Sequence, residues 1–267
     1  MMVFYQKVKF GVGEEFNMVH LRSSEEIKKI SKSCQIVADT LIMLEEYINP
    51  GQSVIELDKL AEDYIKSRNA RPAFKGYMGF PSTLCISIDD AVVHGIPSKT
   101  YLKEGQIVGI DCGAELEGYY GDHAKSFAVG KVSKDKNKLL DVTKQSLLKG
   151  IKQAKPGNFV GDISNAIQTY AEKFGFSIVR ELVGHGIGTK LHEEPQIPNY
   201  GESNQGYQLK SGMCIAIEPM INIGKKEIFT SKDGWTIYTT DGQPSAHFEH
   251  TIAIMEDGPV ILSLGSK

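Results

Sequence analysis

Apolar residues recur at Ile27, Ile30, Cys34, Val37, Leu41, Leu44 and Ile48, in alternating steps of three and four. That period keeps one stripe of a helix apolar, so the run predicts a long amphipathic helix with a single buried face. Ser23-x-x-Glu26 ahead of it has the form of a capping box, in which the two side chains satisfy each other's backbone N–H groups. Pro50-Gly51 ends the run, and Ser53-x-x-Glu56 predicts a second capped helix through Leu57, Leu60, Ala61, Tyr64 and Ile65. The pattern then shortens to strands around Thr83–Ile88 and Ile107–Cys112 and a hairpin through Gly118–Val129. The order repeats. One helix holds Leu140, Leu147, Ile151 and Ala154 and stops at Pro156-Gly157; the next holds Ile163, Ala166, Ile167, Tyr170 and Phe174, with Gly175 as its C-cap. Strands near Met213–Glu218, Trp235–Thr239 and His247–Met255 complete the chain. Helix pairs alternating with runs of short strands predict an α+β fold, a curved antiparallel sheet backed by helices. Residues 1–22 have no clear period and read as an edge strand or N-terminal arm. No low-complexity linker divides residues 23–267, which are expected to form one domain of two related halves.

The halves are visible as a repeat. Leu102-Lys103-x-Gly105-x-x-x-x-Ile110-Asp111 is matched 107 residues on by Leu209-Lys210-x-Gly212-x-x-x-x-Ile217-Glu218. Upstream, Pro50-Gly51 with Val54, Leu57 and Tyr64 is echoed at an offset of 106 by Pro156-Gly157 with Val160, Ile163 and Tyr170. Glycine before an apolar strand is common turn grammar. Two matches at nearly one offset point instead to an internal duplication about a pseudo-twofold axis. A carboxylate closing the same strand in each half would converge near that axis, where paired carboxylates suit a metal ion.

Four acidic residues press against apolar strands. Asp111 follows Ile107-Val-Gly-Ile, Glu218 follows Cys214-Ile-Ala-Ile, Glu249 sits in His-Phe-Glu-His, and Asp122 separates Tyr119-Tyr120-Gly121 from Ser126-Phe127-Ala128-Val129. Acidic side chains are depleted in strands and costly to bury unless paired or bound to metal. His185 adds an imidazole within Val183-Gly184-His185-Gly186-Ile187-Gly188, where glycines let backbones approach closely. Any one of these carboxylates could end its strand and face water, and a lone histidine is usually structural. Together they suit Mn²⁺, Fe²⁺, Co²⁺ or Zn²⁺. An excess of carboxylates over imidazoles is what two adjacent ions need, since carboxylates bridge, and two-metal clamps occur in hydrolases, aminopeptidases among them. The spacing of the five residues forms no local zinc motif.

Charged residues make up 24% of the 267 positions and the net charge is −3, so nothing argues for nucleic acid. Cys34, Cys85, Cys112 and Cys214 are scattered, with no Cys-x-x-Cys, which fits neither a disulfide framework nor a zinc ribbon and suits a reducing cytosol. There is no signal-peptide pattern and no apolar run of about 18 residues, so a cytoplasmic protein away from membranes is expected.

The motifs Cys85-Ile-Ser-Ile, Val93-His94-Gly-Ile-Pro97, Gly109-Ile-Asp111, Gly118-Tyr-Tyr-Gly-Asp122 and Gly184-His185-Gly-Ile-Gly188 come in order. They are followed by Leu191-His192-Glu-x-Pro195, Ile217-Glu218-Pro-Met220, Asp233-Gly-Trp235 and Phe248-Glu249-His-Thr251. In these the chain resembles type I methionine aminopeptidases, of the pita-bread fold, from about Ser23 to the C-terminus. The resemblance implies two pairs of helices backing a pseudo-twofold sheet. It implies two divalent ions (Co, Mn, Fe or Zn) held by Asp111, Asp122, His185, Glu218 and Glu249, with Asp122 and Glu249 bridging. It makes Glu218 also the general base, and places His94 at the scissile nitrogen and His192 at the scissile carbonyl. Tyr77, Phe80, Cys85 and Trp235 would line a methionine pocket. The implied partners are nascent polypeptide N-termini whose second residue is small, with transient ribosome contact and a monomeric enzyme.

The chain departs from that pattern at four places. Phe74 stands where many relatives carry cysteine and Leu191 where many carry phenylalanine, which would reshape the pocket wall. Gly113 removes a hydroxyl near the ions, because residues 111 and 113 share a strand face. His123 replaces a small hydroxyl residue and alternation points it away from the ions. Two other readings remain: an X-Pro aminopeptidase or prolidase with similar ligands, and a non-catalytic pita-bread binding module. The first usually carries an extra N-terminal domain, and the second usually loses ligands.

Overall fold

The computed structural model describes residues 19–266, so most of the expected N-terminal arm lies outside the described residues. In the first half, α1 (Ser24–Glu45) and α2 (Val54–Ser67) precede β1 (Arg71–Pro72), β2 (Leu84–Ile88), β3 (Ala91–Val93), β4 (Ile107–Leu116) and β5 (Tyr119–Ala128). In the second, α3 (Lys134–Ile151) and α4 (Val160–Glu172) precede β6 (Ser177–Ile178), β7 (Gly184–Gly186), β8 (Glu193–Ile197) and β9 (Cys214–Ile217). Then come β10 (Met220–Asn222), β11 (Ile228–Thr230), β12 (Ile237–Thr239), β13 (Ser245–His247), β14 (His250–Met255) and β15 (Gly258–Ile261). One sheet runs β1-β4-β2 with β5 on the free side of β4, and another runs β15-β14-β9-β7-β8. Two three-stranded sheets, β13-β10-β6 and β11-β12-β3, fill the middle, and β3 of the first half pairs there with β12 of the second. No helix among the described residues is long and apolar enough to cross a membrane.

The repeat is a repeat of hydrogen bonds. Gly51 N–H donates to Leu102 O at 2.8 Å, Leu102 N–H to Gln52 O at 2.9 Å and Val54 N–H to Thr100 O at 3.0 Å. In the second half Gly157 N–H donates to Leu209 O at 2.9 Å, Leu209 N–H to Asn158 O at 2.7 Å and Val160 N–H to Tyr207 O at 2.9 Å. The Pro-Gly motif and the Leu-Lys-x-Gly motif of each half are thus partners. Each ties the start of a helix to the loop that feeds the carboxylate-bearing strand.

Both helix pairs form from their apolar stripes. Val37, Leu41, Leu57 and Ile65 pack on Val108, Ile110 and Phe127 of the first sheet; Leu147, Ile163 and Ile167 pack on Ile215, Ile217 and Ile252 of the second. Burying each such side chain contributes roughly 1.5–3 kcal/mol relative to exposure. A third cluster, including Ile30, Phe74, Phe80, Ile187 and Leu191, draws on both halves.

Several local expectations are corrected. The Ser23–Glu26 capping box forms, with Ser23 N–H donating to Glu26 at 2.9 Å and Glu26 N–H to Ser23 Oγ at 3.3 Å. The box at Ser53 does not: Ser53 makes no side-chain cap bond but bridges to Tyr101 through its backbone, and Thr100 O takes the first helical N–H. The α3 face centres on Leu139, Val142 and Leu147, with Leu140 only partly buried. Helix α4 ends at Glu172, before Phe174, and Gly175 closes it at φ +83°. Residues 118–129 are not a hairpin in themselves. Residues 119–128 form one strand, the second arm of a hairpin with β4, turned by Glu117 and Gly118, both at positive φ, as a type I′ turn requires. The run near 235–239 starts as strand only at Ile237, because Asp233 accepts from Trp235 and Thr236 N–H and holds them in a turn. The run from 247 to 255 breaks in two. His247 pairs with Met220, while Glu249 N–H donates to Ala124 O at 2.9 Å. The kink carries Glu249 across to β5, and that crossing builds the site.

Candidate metal centre

Asp111 lies on β4, opposite Cys85 of β2 and Ala124 of β5; Asp122 lies on β5, opposite Gly113. His185 is the middle residue of β7, opposite Ala216. A Cβ on Gly184 would meet Ala216 O at 2.3 Å, and one on Gly186 would meet Glu194 O at 2.2 Å. Glycine on both sides is therefore what lets β7 wedge between its neighbours and present the imidazole. Glu218 follows the last residue of β9 and Glu249 sits at the kink, so both halves contribute.

These side chains converge. His185 Nε2 lies 3.7 Å from Glu218 Oε1 and 4.0 Å from Asp122 Oδ2. Ligand atoms of Asp122, His185 and Glu249 all fall within 4.8 Å of one another, and the three residues are 3%, 4% and 2% exposed. Asp111 Oδ1 and Glu249 Oε1 are buried without a hydrogen-bond partner. Burial pushes the Asp111 and Glu218 carboxyls up to about 7; burial and then neighbouring carboxylates push Asp122 and Glu249 well above the usual range. A cluster of acceptors that can discharge itself only by taking up protons is one that a divalent cation fits. His185 meets the same demand: its Nδ1 faces Gly186 O at 2.9 Å, which leaves Nε2 for the cluster.

His94, His192, Tyr77, Phe80 and Cys85 line one cavity of about 280 Å³ together with all five candidate ligands. His94 is held at φ +56°, and burial, with His247 nearby, lowers its pKa to about 4. His192 is also held neutral, by burial and then by His185, whose ring centroid is 4.3 Å away. Its Nδ1 lies 2.9 Å from the Tyr77 hydroxyl. Trp235 is set one layer back, its ring edge-on to Phe80 at 5.1 Å, so Phe80 and not the indole forms the wall there.

The departures have visible neighbours. The Phe74 ring lies against Gly113: a Cβ at 113 would come within 2.7 Å of Phe74 Cε1. Leu191 is buried beside Phe74 and Phe80 in the shared core. His123 stacks on His250, ring centroids 4.5 Å apart, and its Nδ1 bonds the Glu249 carbonyl, so it grips a candidate ligand through the backbone. One residue escaped the motif reading. His247 is 4% exposed and its Nε2 lies 3.5 Å from Glu218 Oε2. Its signal was available: residues 247 and 249, two apart in an extended run, share a face.

The fold and this centre define the class: the chain belongs to metallopeptidase family M24, whose family model matches residues 28–256. Within that class, it is 50% identical over 92% of its length to methionine aminopeptidase 1 of Bacillus subtilis, of which it covers 99%. The crystal structure of a methionine aminopeptidase from Thermotoga maritima superposes with a TM-score of 0.91 at 43% identity, covering 92% of this chain and 99% of that one. A prolidase from Pyrococcus furiosus shares the pita-bread fold more distantly, with a TM-score of 0.76 at 25% identity, covering 92% of this chain and 66% of that one.

Proposed function

We propose that the protein is a divalent-metal-dependent methionine aminopeptidase that hydrolytically removes the initiator methionine from chains whose second residue is small. The observation that carries this reading is the convergence, in one largely apolar cavity, of the five candidate ligands with His94 and His192. Asp111, Asp122, His185, Glu218 and Glu249 would hold two ions of Co, Mn, Fe or Zn, with Asp122 and Glu249 shared between them. When bound, such ions polarise a carbonyl and make a water acidic. Glu218, lining the same cavity, takes the proton of the attacking water. With Tyr77 donating to Nδ1, His192 carries its proton on Nε2 and donates to the scissile oxygen as charge develops there. His94 attends the departing nitrogen. Tyr77, Phe80 and Cys85, with Phe74 and Met78, supply an apolar wall for an unbranched thioether side chain. The substrates are nascent chain N-termini, met as a monomer in the cytoplasm during transient contact with the ribosome.

The test is release of free methionine from Met-Ala-Ser and Met-Pro peptides by chelator-stripped protein, with each ion added back singly. Metal-restored release after methionine is expected, lowered at least about 10²-fold in Glu218→Ala. Cleavage confined to non-methionine residues before proline would transfer the chain to the proline-specific branch. Silence with every ion, from folded protein, would support the binding-module reading.

A further inference from the structure

We propose that His247 is a sixth protein donor to the metal centre, binding through Nε2 an ion that also touches Glu218 Oε2. This rests on the metal-centre reading above and adds a second imidazole to it. The Glu218 carboxylate is flanked by imidazoles on both oxygens, His185 Nε2 at 3.7 Å from Oε1 and His247 Nε2 at 3.5 Å from Oε2. The second separation is long for an N–H···O hydrogen bond, whose usual range ends near ~3.2 Å. It matches two ligands of one ion: bonds of about 2.1 Å in a tetrahedral arrangement place ligand atoms roughly 3.4 Å apart. His247 Nε2 is buried and has no hydrogen-bond partner, the condition of an imidazole waiting for a Lewis acid.

The main chain of His247 is fixed. Ser126 Oγ donates to His247 O at 2.8 Å and accepts from His247 N–H at 3.0 Å, while β13 pairs His247 with Met220. The ring is therefore presented from β13, facing Glu218, whereas His185 approaches from β7. His247 would thus share Glu218 with His185, one imidazole on each carboxylate oxygen.

Co²⁺ titrated calorimetrically into chelator-stripped full-length protein tests this. The parent should bind two ions. In His247→Ala and in His247→Gln, which retains much of the side-chain bulk, one ion should weaken at least about tenfold. The other ion should bind as in the parent. If the parent binds no ion, the metal-centre reading falls and this proposal with it. If the parent binds two and both variants match it, only the role of His247 is overturned. Anomalous scattering from Co²⁺-loaded parent crystals removes any dependence on variant folding. An ion within about 2.3 Å of His247 Nε2 supports the assignment, and none within about 3 Å overturns it.

Discussion

Gly113 and Phe74 should behave as one unit. A β-carbon added at Gly113 would sit 2.7 Å from Phe74 Cε1, 3.0 Å from Ala73 Cβ and 3.1 Å from Phe74 Cζ, closer than packed carbons come. The Gly113 backbone needs no glycine, since its φ is not among the positive values, so Gly113→Ala isolates overpacking from backbone strain. Overpacking of this kind costs about 1–3 kcal/mol. Against it stands the gain of about 0.5–1 kcal/mol from removing a strand-interior glycine. In the parent the balance should destabilise. In a Phe74→Ala background the ring is gone and only the tight 3.0 Å approach to Ala73 Cβ opposes the gain, so the same substitution should cost at least about 1 kcal/mol less than in the parent. Phe74→Ala alone should cost about 3–5 kcal/mol, because the ring is buried at 5% exposure. The four proteins, unfolded with denaturant in the presence of chelator, form a double-mutant cycle whose coupling should be about 1–3 kcal/mol. Equal effects of Gly113→Ala in both backgrounds would refute the reasoning.

Two further outcomes are expected. In the metal-free chain the folded state keeps protons on Asp111 and Glu218 up to about pH 7, whereas the unfolded chain releases them near ~4. The buried histidines have lowered values and are essentially neutral in both states above pH ~7.5, where the folded chain still holds protons on Asp122 and Glu249 and partly on Asp111 and Glu218, so from there upward it binds more protons than the unfolded chain and stability should fall as pH rises. Saturating Mn²⁺ should offset this loss, since binding replaces the protons; denaturation curves at pH ~7.5 and ~8.5, with chelator or ion, decide it, and a metal-free stability that rises would contradict it. Separately, Arg22 grips both oxygens of Glu193, at 2.7 and 2.5 Å, with both side chains 6% exposed. Arg22→Ala should cost about 3 kcal/mol by removing the cation from a buried carboxylate that then keeps only Thr189 Oγ1 and the Lys190 N–H as donors, and a loss under about 1 kcal/mol, read by denaturation, would show the pair to be dispensable.

The helices and the repeat were legible because they rest on local periodicity. The 3–4 spacing of Ile27 to Leu44 is the buried face of α1, and the two offset motifs are the hydrogen-bonded partners found in each half. Boundaries that depend on another part of the chain were not legible. Ser53 has the sequence of a cap, yet Tyr101 reaches it first; the strand after Ser245 looks continuous, yet Glu249 leaves it to bond Ala124. The carboxylates and His185 stood out because a strand does not explain an acid. His247 did not stand out, since its neighbours Phe248, Glu249 and His250 already filled a motif, and only the approach of β9 shows what its ring faces. The closeness of Phe74 to Gly113 was likewise out of reach, because those two positions are linked by space alone.

The division of the donors between the halves has a mechanical meaning. Asp111 and Asp122 ride on the hairpin of the first, while His185 rides on a strand of the second, Glu218 follows β9 and Glu249 sits at the kink between β13 and β14. Neither half alone carries all five candidate ligands. Any slip along the seam between them would separate the candidate donors and disturb the third apolar cluster, which both halves share. Under the proposed function, catalytic competence would gauge the alignment of the two halves, and a cation seated there would act as a rivet across them.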